Sequence, residues 1–285
     1  MPGTFGFQKG LKVLSNKVFR FIQQTLVNLL AIIWMTKNKR VLILGGTGEA
    51  AALAAKIAAI PGIDAIASFA GRTREPITLT TPSRRGGFGG ATGLANYLRQ
   101  ESIDCLIDAT HPFAAQISFN AAQAASDCGI PRLMLSRPAW EKVSGDNWIE
   151  VENNQAAANI LPGLAPRIFL TIGRQELASY AHLNNIWFLM RMIDPPAADA
   201  IVPVGKLLLE RGPFSLQSER SLLQEYKIGA IVSKNSGGDA TYAKIIAARE
   251  LGIIVVMVQR PPVPEGEKVA DVKSVLAWLE KRWLS

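Results

Sequence analysis

Metal-ligating and redox-active side chains are scarce in this 285-residue chain: His111 and His182 are the only histidines, Cys105 and Cys128 the only cysteines. Two of each exclude a multi-histidine zinc centre, a cysteine-rich metal site and a disulfide framework, and no metal is expected. Long apolar runs are also missing. The longest uncharged one, residues 25–35, is too short to span a bilayer and contains Asn28. No small-x-small cleavage site follows it, which argues against a secretory signal. Charged residues make up only 19% of the chain and apolar ones 48%, a balance that excludes a disordered polymer.

Acids are absent from the first 40 residues, which hold Lys9, Lys12, Lys17, Arg20, Lys37, Lys39 and Arg40. The remaining 245 residues carry 24 basic and 23 acidic groups, so nearly all of the formal +8 charge belongs to the amino-terminal stretch. The rest is close to neutral and carries no bulk charge suited to nucleic acid. Residues 1–38 read as a basic extension. Membrane contact is expected only through residues 1–35, as an amphipathic segment or transit peptide. The favoured reading is that the native protein begins at Met35, in MTKNKRVLILGG, with residues 1–34 not native to the enzyme.

From residue 40 onward, short apolar runs alternate with helix-like stretches. Strands are expected at 41–44, 63–69, 103–107 and 132–135, with helices at 50–60, 91–101 and 112–128. After a break at 137–147 the alternation resumes to a final helix at 271–283. Such alternation predicts α/β architecture: two Rossmann-like lobes, parallel sheets flanked by helices, with a ligand cleft between them. The expected division is 39–138 for a dinucleotide-binding lobe and 139–285 for a substrate lobe.

Several segments can carry chemistry. In ILGGTGEA (43–50), Gly46-x-Gly48-x-x-Ala51 fits a dinucleotide fingerprint placed after a strand and opening a helix. Glycines let the backbone approach a pyrophosphate, and the helix amino terminus favours its charge. Gly45, Gly46, Thr47, Gly48 and Glu49 are therefore candidate cofactor ligands. The second strand runs into AGRTR (70–74) with no acid at its tip. Arg72 and Arg74, with Thr73 between them, suit a 2′-phosphate, which favours NADPH over NADH as the donor. The RGGFGG loop (85–90) reads as a flexible flap or, equally, a disordered hairpin. DATHPFA (108–114) lies at the carboxyl end of the third strand, where Thr110 is the expected cap of the following helix. His111 is the only residue offered there as a proton donor, against a merely structural role; no other catalytic residue is named. In the second half, TIGR (171–174), RGPF (211–214), SKNSGG (233–238) and RPP (260–262) gather cationic and small residues at strand ends, suited to an anionic ligand.

Taken together and in this order, these segments, with RPAW (137–140) and AAREL (247–251), resemble the precorrin-6A reductase and cobalt-precorrin-6A reductase family of cobalamin biosynthesis. The resemblance covers residue 40 to the carboxyl terminus. It implies a cytoplasmic oxidoreductase, monomeric or weakly oligomeric, that passes hydride from NADPH to a carboxylate-rich tetrapyrrole. It implies Arg174, Arg211, Lys234, Ser236 and Gly237 as contacts to the substrate or the nicotinamide end. Whether that substrate already holds cobalt stays open. A short-chain dehydrogenase is the first rival, but Tyr97, Tyr180, Tyr226 and Tyr242 all lack a lysine four residues on. The second is a non-catalytic NADP sensor, which has no need of the cationic loops in the second half.

Overall fold

The computed structural model describes residues 38–69 and 81–283. The amino-terminal extension and the Arg72, Thr73 and Arg74 segment lie outside the described residues. The chain forms two six-stranded sheets in which every pairing is parallel.

The first lobe runs β1 (Lys39–Gly45), α1 (Gly48–Ala58), β2 (Ile63–Phe69), β3 (Ser83–Arg85), α2 (Gly90–Gln100), β4 (Cys105–Asp108), α3 (Ala115–Cys128) and β5 (Arg132–Leu135). The second contains β6 (Trp148–Val151), α4 (Asn154–Ile160), β7 (Arg167–Thr171), a 3₁₀ turn (Arg174–Tyr180), β8 (Trp187–Met192), β9 (Gly205–Leu209), α5 (Leu216–Glu225), β10 (Ala230–Lys234), α6 (Ala243–Glu250) and β11 (Ile254–Val258). β12 (Lys268–Val269) and α7 (Val272–Trp283) end the chain.

The apolar runs are buried on both faces because helices cover both. In β1, Val41 and Ile43 meet α1 and α7, while Leu42 and Leu44 meet α2 and α3. This is the period-2 alternation of a strand, with both sides apolar. The second sheet repeats the device. Ile168 and Leu170 of β7 face α4 and the 3₁₀ turn, and Phe169 faces α5 and α6.

The order of the first sheet is β12-β5-β4-β1-β2-β3. The expected boundary needs correcting here: the last 18 residues were assigned to the second lobe, yet β12 pairs with β5 and α7 buries Val275 and Leu279 in the first core. The chain therefore crosses between lobes twice. A two-residue strand carries no readable periodicity, so its return to the first sheet left no trace in the pattern. The helix expected from Pro112 starts later, at Ala115, and Thr110 does not cap it. Its hydroxyl instead donates to Asp108 Oδ1 at 2.7 Å. Gly129 closes α3 in the left-handed region with φ of 64°. The glycine-rich loop is held by the arginine that precedes it. Arg84 lies 3.8 Å from the centre of the Phe88 ring and donates to Ser68 Oγ and Gly86 O, anchoring the loop on the sheet edge.

Arg191, Glu219 and Lys244 are buried together in the second lobe. Arg191 pairs with Glu219 at 2.7 Å and stacks on Phe214, and Lys244 lies nearby, donating to Thr241 O. Burial pushes the Lys244 ammonium down to about 7; Glu219 opposes the shift and Arg191 adds to it. An unfolded lysine holds its proton to about 10.5, so unfolding takes up a proton between pH 7 and 10.5. Stability from this group therefore grows as pH rises through that window. Calorimetry of the wild type against Lys244→Met should show the Tm of the wild type climbing relative to the variant from pH 7 to 10. Parallel curves would refute the assignment.

Candidate functional site between two facing sheet edges

In an open α/β sheet, ligands bind beyond the carboxyl ends of the strands, where the strand order reverses. In the first sheet that reversal lies between β1 and β4. The loops leaving it are 46–47 and 109–114. In the second sheet it lies between β7 and β10, and the loops leaving it hold Gly173-Arg174 and residues 235–238. The two crossings face each other. Lys234, at the end of β10, sits 5.1 Å from the centre of the Phe113 ring, and Phe113 packs on the second lobe's core.

At the first crossing, Thr47 caps α1: its Oγ1 accepts from Ala50 N at 3.1 Å and donates to Ala109 O at 3.3 Å, tying the two loops together. The first intrahelical bond is Ala51 N–H to Thr47 O, so the amides of Gly48 and Glu49 precede the helical ladder. Gly46 has φ of +137°, a conformation that suits glycine. A Cβ at Gly46 or Gly48 would meet nothing within 4 Å, whereas one at Gly45 would come 3.0 Å from Ala50 Cβ. Gly45 thus serves helix–strand packing. Gly46 and Gly48 border open space in front of a helix amino terminus, which fits a dinucleotide pyrophosphate.

At the second crossing, Arg174 opens the 3₁₀ turn and donates to Pro195 O at 3.0 Å. Lys234 pairs with Glu176. Ser236 offers its carbonyl to Arg137 and Arg260, at 2.8 and 3.0 Å. Gly237 is packed against the linker, with Pro138 O 1.9 Å from the position of a Cβ. Arg174, Lys234, Ser236 and Gly237 are therefore gathered at one place. Arg211 follows β9, two strands from β7, but its loop folds back toward the same segment: Phe214 N donates to Ala240 O at 3.4 Å, and a Cβ on Gly212 would lie 3.2 Å from that carbonyl.

His111 lies between the two crossings. Its Nδ1 accepts from Phe113 N at 3.2 Å, which leaves the ring proton on Nε2. Burial pushes its pKa down to about 4, helped by Arg137, Lys234 and Arg260. A ring so placed is held in its neutral form, with Nε2–H as its one donor.

Two further arginines shape the site: Arg260, expected from the sequence among the cationic strand-end loops, and Arg137, which enters the sequence reading only through the RPAW segment. Arg137 pairs with Glu49 of α1, and Arg260 donates to the carbonyls of Asn235, Arg137, Pro138 and Ser236. Both sit just past a strand's carboxyl end, the signal that picks out Arg260 in the sequence and applies equally to Arg137. Among the described residues there is no cluster of three or more His, Cys, Asp or Glu that could hold a metal, and no helix long and apolar enough to cross a membrane.

Two facing switch points, one with a glycine turn and one with clustered cations, define a two-lobed α/β enzyme of the dinucleotide-dependent type. Comparison with known proteins narrows this. The family model described as "Precorrin-6x reductase CbiJ/CobK" matches residues 40–280. A precorrin-6A reductase of Rhodococcus erythropolis is 52% identical over 241 residues, covering 84% of this chain and 97% of that protein. One from Rhodobacter capsulatus is 42% identical, covering 84% and 95%. A cobalt-precorrin-6A reductase of Priestia megaterium is 27% identical, covering 83% and 96%. The solved structure of a CobK precorrin-6A reductase superposes with a TM-score of 0.80 at 41% identity, covering 85% of this chain and 96% of that one. The chain belongs to the precorrin-6x reductase family and is a reductase.

Two outcomes are expected. Gly48→Ala places a methyl group where the fold has room for it, so its Tm should match the wild type. Its affinity for NADP⁺, read by calorimetric titration, should fall at least ~10-fold, about 1.4 kcal/mol; unchanged affinity would remove the turn from the nucleotide site. A folded pKa near 4 against 6.5 unfolded means that unfolding takes up a proton between those values. The protein should lose stability as pH falls from 6.5 to 4. His111→Asn, which keeps an acceptor for the Phe113 amide, should lose less; an identical acid-side decline would refute the assignment.

Proposed function

We propose that this protein reduces precorrin-6A to the 6B form in cobalamin biosynthesis, with NADPH as hydride donor. The observation that carries the reading is the pair of switch points facing each other, one fitted to a pyrophosphate and one lined with cations. The relatives at 42–52% identity are named for precorrin-6A and that at 27% for its cobalt form, which supports the metal-free macrocycle as substrate.

The reduced nicotinamide supplies hydride, and little covalent chemistry is asked of the protein. Its task is to hold two large anionic molecules face to face. The Gly46–Gly48 turn and the amides of Gly48 and Glu49 receive the pyrophosphate. Arg72 and Arg74, with Thr73, take the 2′-phosphate, since guanidinium pairs with phosphate in a two-pronged fashion. Arg174, Lys234 and the Ser236–Gly237 loop face the macrocycle, whose carboxylates compensate cations that burial would otherwise penalise. Arg211 extends this set toward the sheet edge.

Anaerobic mixing of the protein with NADPH and precorrin-6A should bleach the reduced nicotinamide and shift the macrocycle spectrum together, with one equivalent of each consumed. Binding of NADPH without change in the macrocycle would favour a sensor. Replacing both Arg72 and Arg74 by Gln should weaken NADPH by ~10-fold or more while leaving NADH unaffected; equal loss for both would refute the 2′-phosphate assignment.

A further inference from the structure

We propose that Arg137 is a positioning residue for hydride transfer: it fixes the nucleotide-binding turn of the first lobe against the cationic loop of the second. The inference rests on the function proposed above.

Its basis is how the linker is tied. Asn235 is buried and grips Trp140 at both backbone groups, accepting from Trp140 N at 2.8 Å and donating to Trp140 O at 3.0 Å. Trp140 Nε1 donates to Gly238 O at 2.8 Å. Arg260 donates to carbonyls on both segments, Arg137 and Pro138 on one side, Asn235 and Ser236 on the other. Gly237 and Gly238 have φ of +69° and +72°, and Cβ atoms there would come 1.9 Å from Pro138 O and 2.9 Å from Arg137 Cδ. At Gly237 backbone meets backbone with no room for a side chain, and at Gly238 the Arg137 side chain takes that room. Residues 137–140 and 235–238 therefore form one cross-braced unit belonging to the second lobe.

The Arg137 side chain reaches out of that unit. Nε donates to Ser236 O at 2.8 Å, and Nη1 pairs with Glu49 in the first turn of α1. One planar guanidinium thus spans the loop after β10 and the helix that opens at the glycine turn. A guanidinium has fixed donor directions, so the two contacts lock distance and angle together; an ammonium's three donors rotate freely on a flexible stem and impose no such angle. The arginine is 17% exposed and the Glu49 carboxylate 42%, so the pair is partly screened and its role is to fix geometry more than to add stability. Hydride transfer is sensitive to such placement, a shift of 1 Å costing on the order of 10²-fold in rate.

The test compares wild type, Arg137→Met, Arg137→Lys, Glu49→Gln and the double variant Glu49→Gln/Arg137→Met. The readouts are single-turnover oxidation of NADPH by precorrin-6A, the dissociation constant of each ligand, and the isotope effect with NADPH deuterated at the transferred position. Arg137→Met should slow the hydride step by ~10- to 100-fold, keep both dissociation constants within about threefold of wild type and raise the isotope effect. Arg137→Lys should recover little. The double variant should be no slower than the worse single variant, because both changes remove one interaction. A wild-type rate in Arg137→Met, multiplicative losses in the double variant, or affinities falling in step with the rate would each overturn the proposal. If wild type itself fails to oxidise NADPH with precorrin-6A, the proposed function fails instead. Hydrogen exchange on the free protein then still decides the tether: amides of residues 48–51 and 235–238 should exchange faster in Arg137→Met, and unchanged protection would overturn it.

Discussion

Parallel sheets have two unlike ends, and in this protein the carboxyl ends of both are turned toward each other. Everything functional follows from that polarity. The strands beside each crossing deliver their following loops to the same seam, so residues as distant in sequence as Glu49, Phe113, Arg137, Lys234 and Arg260 come within interaction range. Helix α1 also begins at the seam, aiming its positive end into it. The opposite rims are occupied by the amino ends of the strands and play no part in the site.

The seam concentrates positive charge, and the protein limits the cost by giving each cation a specific neighbour. Arg137 has Glu49, Lys234 has Glu176, and Arg260 is surrounded by carbonyl oxygens. Arg260 even falls below the usual guanidinium range, through burial first and Arg137 second, with Glu49 opposing. His111 responds to the same environment by remaining neutral. A polyanion entering such a place meets charge already fixed in direction, so little reorganisation accompanies binding.

Much of the fold could be read from sequence because both sheets are covered on both faces. Continuous apolar runs such as Val41–Leu44 and the punctuation around Gly129 give strong local signals. The glycine turn was legible for a similar reason: its spacing, its preceding strand and its following helix are all contiguous. What escaped was decided elsewhere. β12 has two residues and forms only because β5 offers it a partner. Thr110 had the right chemistry for a helix cap, but the buried Asp108 carboxylate captured its hydroxyl. Composition leaves the RGGFGG loop as flap or hairpin; the seat of Arg84 over the Phe88 ring is set by the fold.

Local sequence alone marked most of the strands and helices, the glycine turn between the first of them, and the α/β architecture. These depend on contacts within about a dozen residues. It could not decide which strand ends meet, because chain polarity sets only that loops lie at one rim, not which rims oppose. Arg137 is one of two described seam arginines beside a proline in the linear chain; its hold on Glu49, 88 positions away, exists only once two lobes have folded and docked.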